Sequence, residues 1–178
     1  GKQWFTWTSE SDGWRRLYKV SADAKVFIPI TAAHADFESI EAIDEKGGWV
    51  YYIASPASAT ERYLYRSRLN GEGSPEKLSP ADLIGHHSYN IAPGARYAIH
   101  IFDNSTTPPV YSLVSLPKHQ TVRVFEDNSE VKKAFTESDI PCKQFIKINI
   151  GEVTLDGWML KPPSFNPAKK YPVIKMTG

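Results

Sequence analysis

The residues best equipped for metal or acid–base chemistry are two adjacent histidines, His86 and His87. A zinc site needs three or four His, Cys or carboxylate ligands at short spacings. Neighbouring residues of a β-strand point to opposite faces, and no third ligand follows the two histidines at such a spacing. His34, His100 and His119 are isolated in the sequence, and we expect them in loops or on strand surfaces. The sequence therefore predicts neither a metal site nor a cofactor.

A serine nucleophile of the hydrolase type needs a Gly-x-Ser-x-Gly turn, which exposes the hydroxyl at the end of a strand. No such pentapeptide occurs, and residues 71–75, Gly-Glu-Gly-Ser-Pro, fail at the last position and lie in an expected hairpin turn. Glu38 and Glu41 are three apart on an expected strand, so they cannot act as an acid–base pair unless the strand is bulged. We therefore assign no catalytic, cofactor-binding or metal-binding residue to this chain.

Two weaker candidates involve surface residues. Trp14 and Tyr63 have the shape to line a substrate channel, although packing is the simpler role for an aromatic side chain. Residues 104–106, Asn-Ser-Thr, form an N-glycosylation sequon, which matters only in a eukaryotic secreted protein and is common by chance.

The composition is globular, with 178 residues of which 41% are hydrophobic and 12% aromatic. The formal net charge is +1 and no basic run occurs, so we expect no nucleic-acid partner. No apolar run approaches the roughly 20 residues of a membrane-spanning helix. The single cysteine, Cys142, cannot form a disulfide within the chain, which fits either a reducing compartment or a periplasmic protein without bridges.

Two runs rich in aromatic and β-branched residues, 49–54 and 63–69, predict a pair of β-strands. The first run is apolar on both faces, so we expect it to be covered on both sides. The same order of strand, turn and strand recurs at 4–20 and at 96–115, which indicates propeller blades; a β-sandwich with chance spacing is the alternative. The positions that match, each 47 residues after the last, are Leu17, Leu64 and Tyr111.

The predicted fold class is mainly β, with repeated antiparallel blades of an incomplete β-propeller. About three blade units occupy residues 1–142, and a second domain begins in residues 143–178. The expected features of these two parts are blades at 4–31, 37–78 and 87–125 with Pro29 on an edge strand, a loop at 103–109, a short connecting helix at 130–135, strands at 144–150 and 152–160, the start of a strand at 171–176, and a buried Trp158 at the junction.

Three groups of residues together resemble the dipeptidyl peptidase IV family. They are residues 7–14 followed by Leu17-Tyr18, residues 50–52 with 61–62 and 64–65, and the tail 156–163 with 170–173. The Ser-Asp-Gly and Leu-Tyr pieces are shared by many propellers. The tail is more specific, because it resembles the junction at which the family's β-propeller joins its α/β-hydrolase domain, and the resemblance covers nearly the whole chain.

The resemblance implies a serine exopeptidase of the prolyl oligopeptidase class that releases N-terminal Xaa-Pro or, less well, Xaa-Ala dipeptides by Ser-His-Asp acyl transfer. In that class the propeller covers the active site, gates substrates and supplies carboxylates for the free amine. The implied partners are a peptide substrate, the rest of the propeller and hydrolase domain, and a second copy in a homodimer. The implied location is periplasmic, extracellular or membrane-anchored.

Several of the family's functional residues have no match here. The sequence has no adjacent Glu-Glu pair for the amine, and the position seven residues after Tyr171, where the family has an oxyanion-stabilising Tyr, is Gly178. We therefore expect a fragment with late blades and the start of the hydrolase domain, inactive alone. A non-enzymatic periplasmic propeller module, acylaminoacyl peptidase and prolyl oligopeptidase remain alternatives; the tail at 156–173 favours a peptidase over a free-standing propeller.

Overall fold

The computed structural model of the protein describes residues 3–56, 58–138, 141 and 143–176. These divide into two compact units, Gly1–Lys132 and Lys133–Gly178. In the first unit the strands are β1 Trp4–Ser9, β2 Arg16–Ser21, β3 Phe27–Pro29, β4 Phe37–Asp44, β5 Trp49–Ala54, β6 Tyr63–Arg68, β7 Glu76–Lys77, β8 His86–Ile91, β9 Tyr97–Asn104, β10 Thr107–Ser115 and β11 Gln120–Glu126. Helix α1 is Ser129–Glu137, and the second unit contains β12 Gln144–Ile150 and β13 Val153–Met159.

The strands of the first unit form three antiparallel sheets in chain order. We call β1-β2-β3 the first sheet, β4-β5-β6-β7 the second and β8-β9-β10-β11 the third. Each strand pairs with its neighbours in sequence, which is the up-and-down order of propeller blades. Pro29 lies in the edge strand β3, as predicted, because proline donates no hydrogen bond to a sheet ladder.

Strand β5 is buried on both faces, which confirms the prediction from its apolar pattern. Val50, Tyr52 and Ala54 pack with Leu17 and Ile30 of the first sheet region. Residues of the opposite face of the second sheet pack against the third sheet. The members of that cluster are Tyr51, Ile53, Leu64, Leu78, Tyr89, Ala95, Ala98 and Val114. The second sheet therefore contributes both of its faces to apolar cores.

The 47-residue repeat corresponds to equivalent structural positions. The Leu17 N–H donates to Thr31 Oγ1 at 3.1 Å, and the Leu64 N–H donates to Ser79 Oγ at 2.8 Å. Each leucine carbonyl also accepts from the residue just before that hydroxyl, at 2.9 and 2.8 Å. Both leucines point towards the following sheet. Tyr111 lies on β10, the next penultimate strand, on the face directed away from the second sheet, so the repeat interpretation is confirmed.

The predicted loop at 103–109 is mostly strand. Strand β9 continues to Asn104 and β10 begins at Thr107, so only Ser105 and Thr106 form the turn. Pro108 and Pro109 lie inside β10, where the pairing with β9 shifts register between Thr107 and Val110. A bulge tolerates proline because the ladder hydrogen bond is already interrupted there.

The second unit contains an antiparallel hairpin, β12 paired with β13 from Gln144↔Met159 to Ile150↔Val153. Gly151 turns the chain with φ of 62°, a left-handed conformation that favours glycine. Residues 160–176 contain no strand, so the expectation of a strand at 171–176 is wrong for its described residues. Trp158 is 52% exposed, so its predicted burial is also wrong. The predicted domain boundary after residue 142 stays a prediction.

Candidate functional site

A group of titratable side chains in mutual contact lies between the second and third sheets. His87 and Tyr89 come from β8, His100 from β9, His119 from the turn after β10, and Ser79 from the segment after β7. We call these five residues the histidine cluster. His87 is 1% exposed and His100 is 4% exposed, since both lie on the face of the third sheet that packs against the second.

The aromatic rings of the histidine cluster are stacked. The ring centroids of His87 and His100 are 5.1 Å apart with 15° between their planes. The Tyr89 and His100 rings are 4.7 Å apart at 20°. His119 meets His100 edge-on, at 4.7 Å and 83°. The stacked rings fill the interface between the two sheets around His87 and His100, both of which are buried.

Hydrogen bonds indicate the protonation state of the stacked pair. His87 Nε2 lies 2.8 Å from the Leu83 carbonyl oxygen, which can only accept, so Nε2 carries a proton. His87 Nδ1 lies 2.9 Å from His100 Nε2. In a neutral His87 the Nδ1 atom accepts, so His100 donates from Nε2. The geometry therefore fits two neutral imidazoles of defined tautomer.

A second chain of hydrogen bonds joins the cluster to the second sheet. The Leu64 N–H donates to Ser79 Oγ, Ser79 Oγ lies 2.9 Å from Tyr89 Oη, and Tyr89 Oη lies 2.8 Å from His119 Nε2. Serine, tyrosine and histidine are groups used in acyl transfer. Here the Ser79 hydroxyl is buried and already accepts the Leu64 N–H, so no substrate carbonyl can approach it. The chain of bonds is structural.

Burial shifts the pKa values of the titratable groups in the histidine cluster. It lowers the pKa of His87 to about 4; the Coulombic influence of His119, Lys77 and His86 acts in the same direction, and the hydrogen bond to the Leu83 carbonyl opposes it. Burial also lowers the pKa of His100 to about 3 and lowers the pKa of His119. The pKa of the Tyr89 phenol is raised by burial. All four groups are therefore neutral near pH 7.

Among the residues the structure describes, no three His, Cys, Asp or Glu side chains are arranged to hold a metal ion. The expectation that His86 and His87 point to opposite faces is confirmed, because His87 is buried whereas His86 is exposed and lies 3.5 Å from Asp103 Oδ2. The expectation for His100 is wrong, since it is a core residue. Ala98 and Phe102 share its strand face, but Ile99 and Ile101 make the opposite face apolar too, so the sequence does not reveal which face is inside.

An open pocket of about 440 Å³ lies at one end of the second sheet, beside Trp49. The Arg66 and Arg68 guanidinium carbons are both 3.9 Å from the centroid of the Trp49 ring. Arg66 donates from Nε and Nη2 to Glu76 Oε2, at 2.9 and 2.7 Å, so its charge is paired. These contacts order the strand ends through cation–π and ionic interactions, and they contain no nucleophile held against a base.

The candidate acid–base pair and the candidate channel residue Tyr63 are engaged in other contacts or buried. Strand β4 is bulged, yet Glu38 pairs with Arg62, whereas Glu41 accepts the Ser39 hydroxyl at 2.6 Å. The two carboxylates therefore do not act together. Tyr63 is 3% exposed, so it cannot line a channel.

Trp14, by contrast, is exposed, and its ring lies 6.3 Å from that of His34. In the sequon, Asn104 Oδ1 accepts from the Thr106 N–H and hydroxyl. Residues 71–75 lie in the turn between β6 and β7, as expected.

Comparison with known proteins decides the family. Residues 1–109 match the family model of the dipeptidyl peptidase IV (DPP IV) N-terminal region. The chain belongs to the dipeptidyl peptidase IV family. The three sheets are accordingly part of the DPP IV N-terminal propeller, and the predicted propeller fold is confirmed.

Relatives and solved structures agree with this family. The chain is 34% identical over 151 residues to a probable dipeptidyl-aminopeptidase B of Emericella nidulans, covering 82% of this chain and 16% of the relative. A probable dipeptidyl-aminopeptidase B of Talaromyces marneffei is 27% identical over 152 residues, with 83% and 17% coverage. The chain thus spans about a sixth of the length of these curated relatives.

The crystal structure of Porphyromonas gingivalis dipeptidyl peptidase 4 superposes on 97% of this chain and 24% of that chain, with a TM-score of 0.82 and 24% identity. A putative dipeptidyl aminopeptidase IV from Bacteroides ovatus gives a TM-score of 0.76 at 19% identity, over 95% of this chain and 26% of that one. Both show the fold. In the part of the DPP IV-family chain that the structure describes, no helix has the length and apolarity to cross a bilayer.

Proposed function

We propose that this chain is the segment of a dipeptidyl peptidase that carries propeller blades and the start of its α/β-hydrolase domain. In the complete enzyme it acts in a serine exopeptidase that removes N-terminal Xaa-Pro or Xaa-Ala dipeptides. The observation that carries the proposal is the order of elements, in which three antiparallel blades precede the β12–β13 hairpin and a proline-containing segment. The family match supports the same assignment.

The segment serves this enzyme as a covering wall, and catalysis resides in other parts of the protein. Acyl transfer needs a nucleophile held against a base beside a preorganised oxyanion site. In the described residues the one Ser-Tyr-His chain is buried in the histidine cluster, and its hydroxyl is engaged by backbone. Buried sheets of this kind provide a rigid wall that limits substrate size and orients a peptide.

The proposed partners are a peptide substrate, the remaining blades and hydrolase domain of the same protein, and a second copy in a homodimer. The proposed location is outside the cytoplasm, in the periplasm, in the extracellular space or anchored to a membrane. The names of the fungal and bacterial relatives as dipeptidyl peptidases support the activity proposed here.

The test is a substrate panel applied to the complete gene product that contains this segment, with the 178-residue chain alone as the matched control. We expect the complete protein to cleave fluorogenic amides of Gly-Pro and Gly-Ala that have a free N-terminal amine, and we expect the chain alone to cleave neither. Preference for an N-acetyl-Ala amide would instead indicate an acylaminoacyl peptidase, and preference for an N-blocked Gly-Pro amide a prolyl oligopeptidase.

Two outcomes would overturn the proposal. One is a folded complete protein that cleaves none of the four amides, which would leave a binding module. The other is turnover by the 178-residue chain alone that is blocked by a serine-directed phosphonate, because the nucleophile would then lie within this segment.

A further inference from the structure

The histidine cluster is placed where it can control the contact between two sheets. His87, His100 and His119 belong to the third sheet and its turn, whereas Ser79 and Leu64 belong to the second sheet region. The Leu64–Ser79–Tyr89–His119 chain of hydrogen bonds crosses from one to the other. Three titratable rings therefore lie in one interface of the fold.

Protonation has a defined effect on the stacked pair. With both rings neutral, one N–H between His87 Nδ1 and His100 Nε2 forms the 2.9 Å bond. A first added proton leaves this bond in place if it binds His100 Nδ1, or if it binds His87 Nδ1 and His100 changes its tautomer, but in either case it buries a charge. A second added proton puts an N–H on both facing atoms, so the bond is replaced by repulsion between two cations.

The surroundings provide little compensation for such charges. In the described part of the chain, no carboxylate bonds to His87, His100 or His119. From β7, Lys77 Nζ lies 3.4 Å from the centroid of the Tyr63 ring, which itself lies 5.3 Å from His87.

The acidic groups near these elements are engaged or point outward. Glu61 accepts the Tyr63 hydroxyl at 2.6 Å. Asp103 is close to His86, on the other face of the third sheet. Asp82, in the loop that supplies the Leu83 carbonyl, is exposed, as is Lys118 next to His119.

We propose that the interface between the second and third sheets is an acid-sensitive joint, which the histidine cluster holds closed while its three imidazoles are neutral and which opens when they take up protons. Opening exposes Leu64, Leu78, Tyr89 and Val114 to water. The joint is a property of this segment and does not depend on the peptidase activity proposed above.

The direction of the pH effect on the closed state, and the pH range in which it occurs, follow from the histidine pKa values in the closed and open states. An exposed histidine has a pKa of about 6.5, whereas burial lowers the pKa of His87 to about 4 and of His100 to about 3. A group whose pKa is lowered by folding stabilises the closed state above its unfolded pKa and loses that effect as the pH falls. The closed state of the joint is therefore most stable, relative to the open state, above about pH 6.5, and its stability decreases progressively below that pH.

The opening constant is measured by amide hydrogen exchange between pH 7 and 5, corrected for the intrinsic exchange rate. Each imidazole that is neutral when closed and protonated when open raises this constant by up to tenfold per pH unit. For the Leu64 and Leu78 amides of the unmodified chain, His87 and His100 alone should bring the logarithmic slope close to two at the acidic end of this range, and the lowered pKa of His119 adds to it. Amides of β1 and β2, remote from the cluster, should show a smaller slope.

Variants separate protonation from packing. His100→Phe keeps a ring in the stack and removes one titrating imidazole, so it should lower the slope by about one, even if its stability at pH 7 also changes. The matched control is His86→Gln, since the His86 side chain is 51% exposed and outside the interface; its slope should equal that of the unmodified chain.

Two results would overturn the proposal. One is a slope for Leu64 that is no steeper than that for β1 and β2. The other is equal slopes in His100→Phe and the unmodified chain. If His100→Phe fails to fold, proton NMR of the unmodified chain decides the matter: three imidazoles that titrate with ordinary midpoints while the interface amides stay protected contradict an acid-sensitive joint.

Discussion

Leu64→Ala should be among the most damaging single substitutions in the first unit. Leu64 is fully buried, and it packs in the cluster that contains Ile53, Leu78 and Val114. Leu→Ala changes in cores cost about 2–5 kcal/mol, with the larger values where the surroundings cannot collapse into the space. Here both neighbouring strands are held in register and the cluster is closed by a second sheet. We expect a loss of about 3–5 kcal/mol in the free energy of unfolding.

The assay is urea-induced unfolding followed by far-ultraviolet circular dichroism, with Val122→Ala as the matched control. Val122 lies in β11 and is 55% exposed, so its truncation should change stability by less than about 0.5 kcal/mol. If the unfolding free energies of Leu64→Ala and Val122→Ala differ by less than about 0.5 kcal/mol, Leu64 does not close a core between two sheets. The stacking of sheets described above would then be incorrect.

Two further changes test other contacts. Tyr52→Phe removes the 3.0 Å hydrogen bond between Tyr52 Oη and Ser67 Oγ and leaves a buried hydroxyl without its partner, so unfolding should become easier by about 1–3 kcal/mol; a double variant that also carries Ser67→Ala should recover part of the loss in the same urea assay. Gly71→Ala and Gly94→Ala place a side chain at similar positive φ, 78° and 80°, but only at Gly71 would the new Cβ collide, with Ile28. The first variant should therefore melt at a lower temperature than the second, and equal melting temperatures would contradict the close approach of Gly71 to β3.

The architecture of the blades could be predicted because its causes are local. Strand β5 is apolar on both faces, so burial on both sides follows from side-chain alternation alone. The spacing of Leu17 and Leu64 repeats because each places the same backbone groups opposite a hydroxyl residue. Pro29 lies on an edge strand because proline has no backbone N–H to donate to a sheet ladder.

The histidine cluster could not be predicted, because its causes are not local. His87 and His119 are 32 positions apart in the sequence, and the β8–β9–β10–β11 meander brings them to one interface. Burial of His100 depends on which face of β9 meets the second sheet, and a polar residue among apolar ones does not reveal this. Pro108 and Pro109 indicated a loop by composition, whereas a register shift in the ladder allows them to lie in β10.

The order of the sheets also affects synthesis, since a chain leaves the ribosome from its N-terminus. Each sheet is made of consecutive strands, so it can form soon after its own residues emerge, with short loops to close. The core around Val50 and Tyr52 needs partners only up to Leu69. The core around Leu64 needs Val114 of the third sheet, which is made much later. During that interval an apolar sheet face is exposed to water, and we expect nascent chains whose last emerged residue lies between 70 and 110 to bind chaperones more strongly than chains that have emerged beyond residue 126.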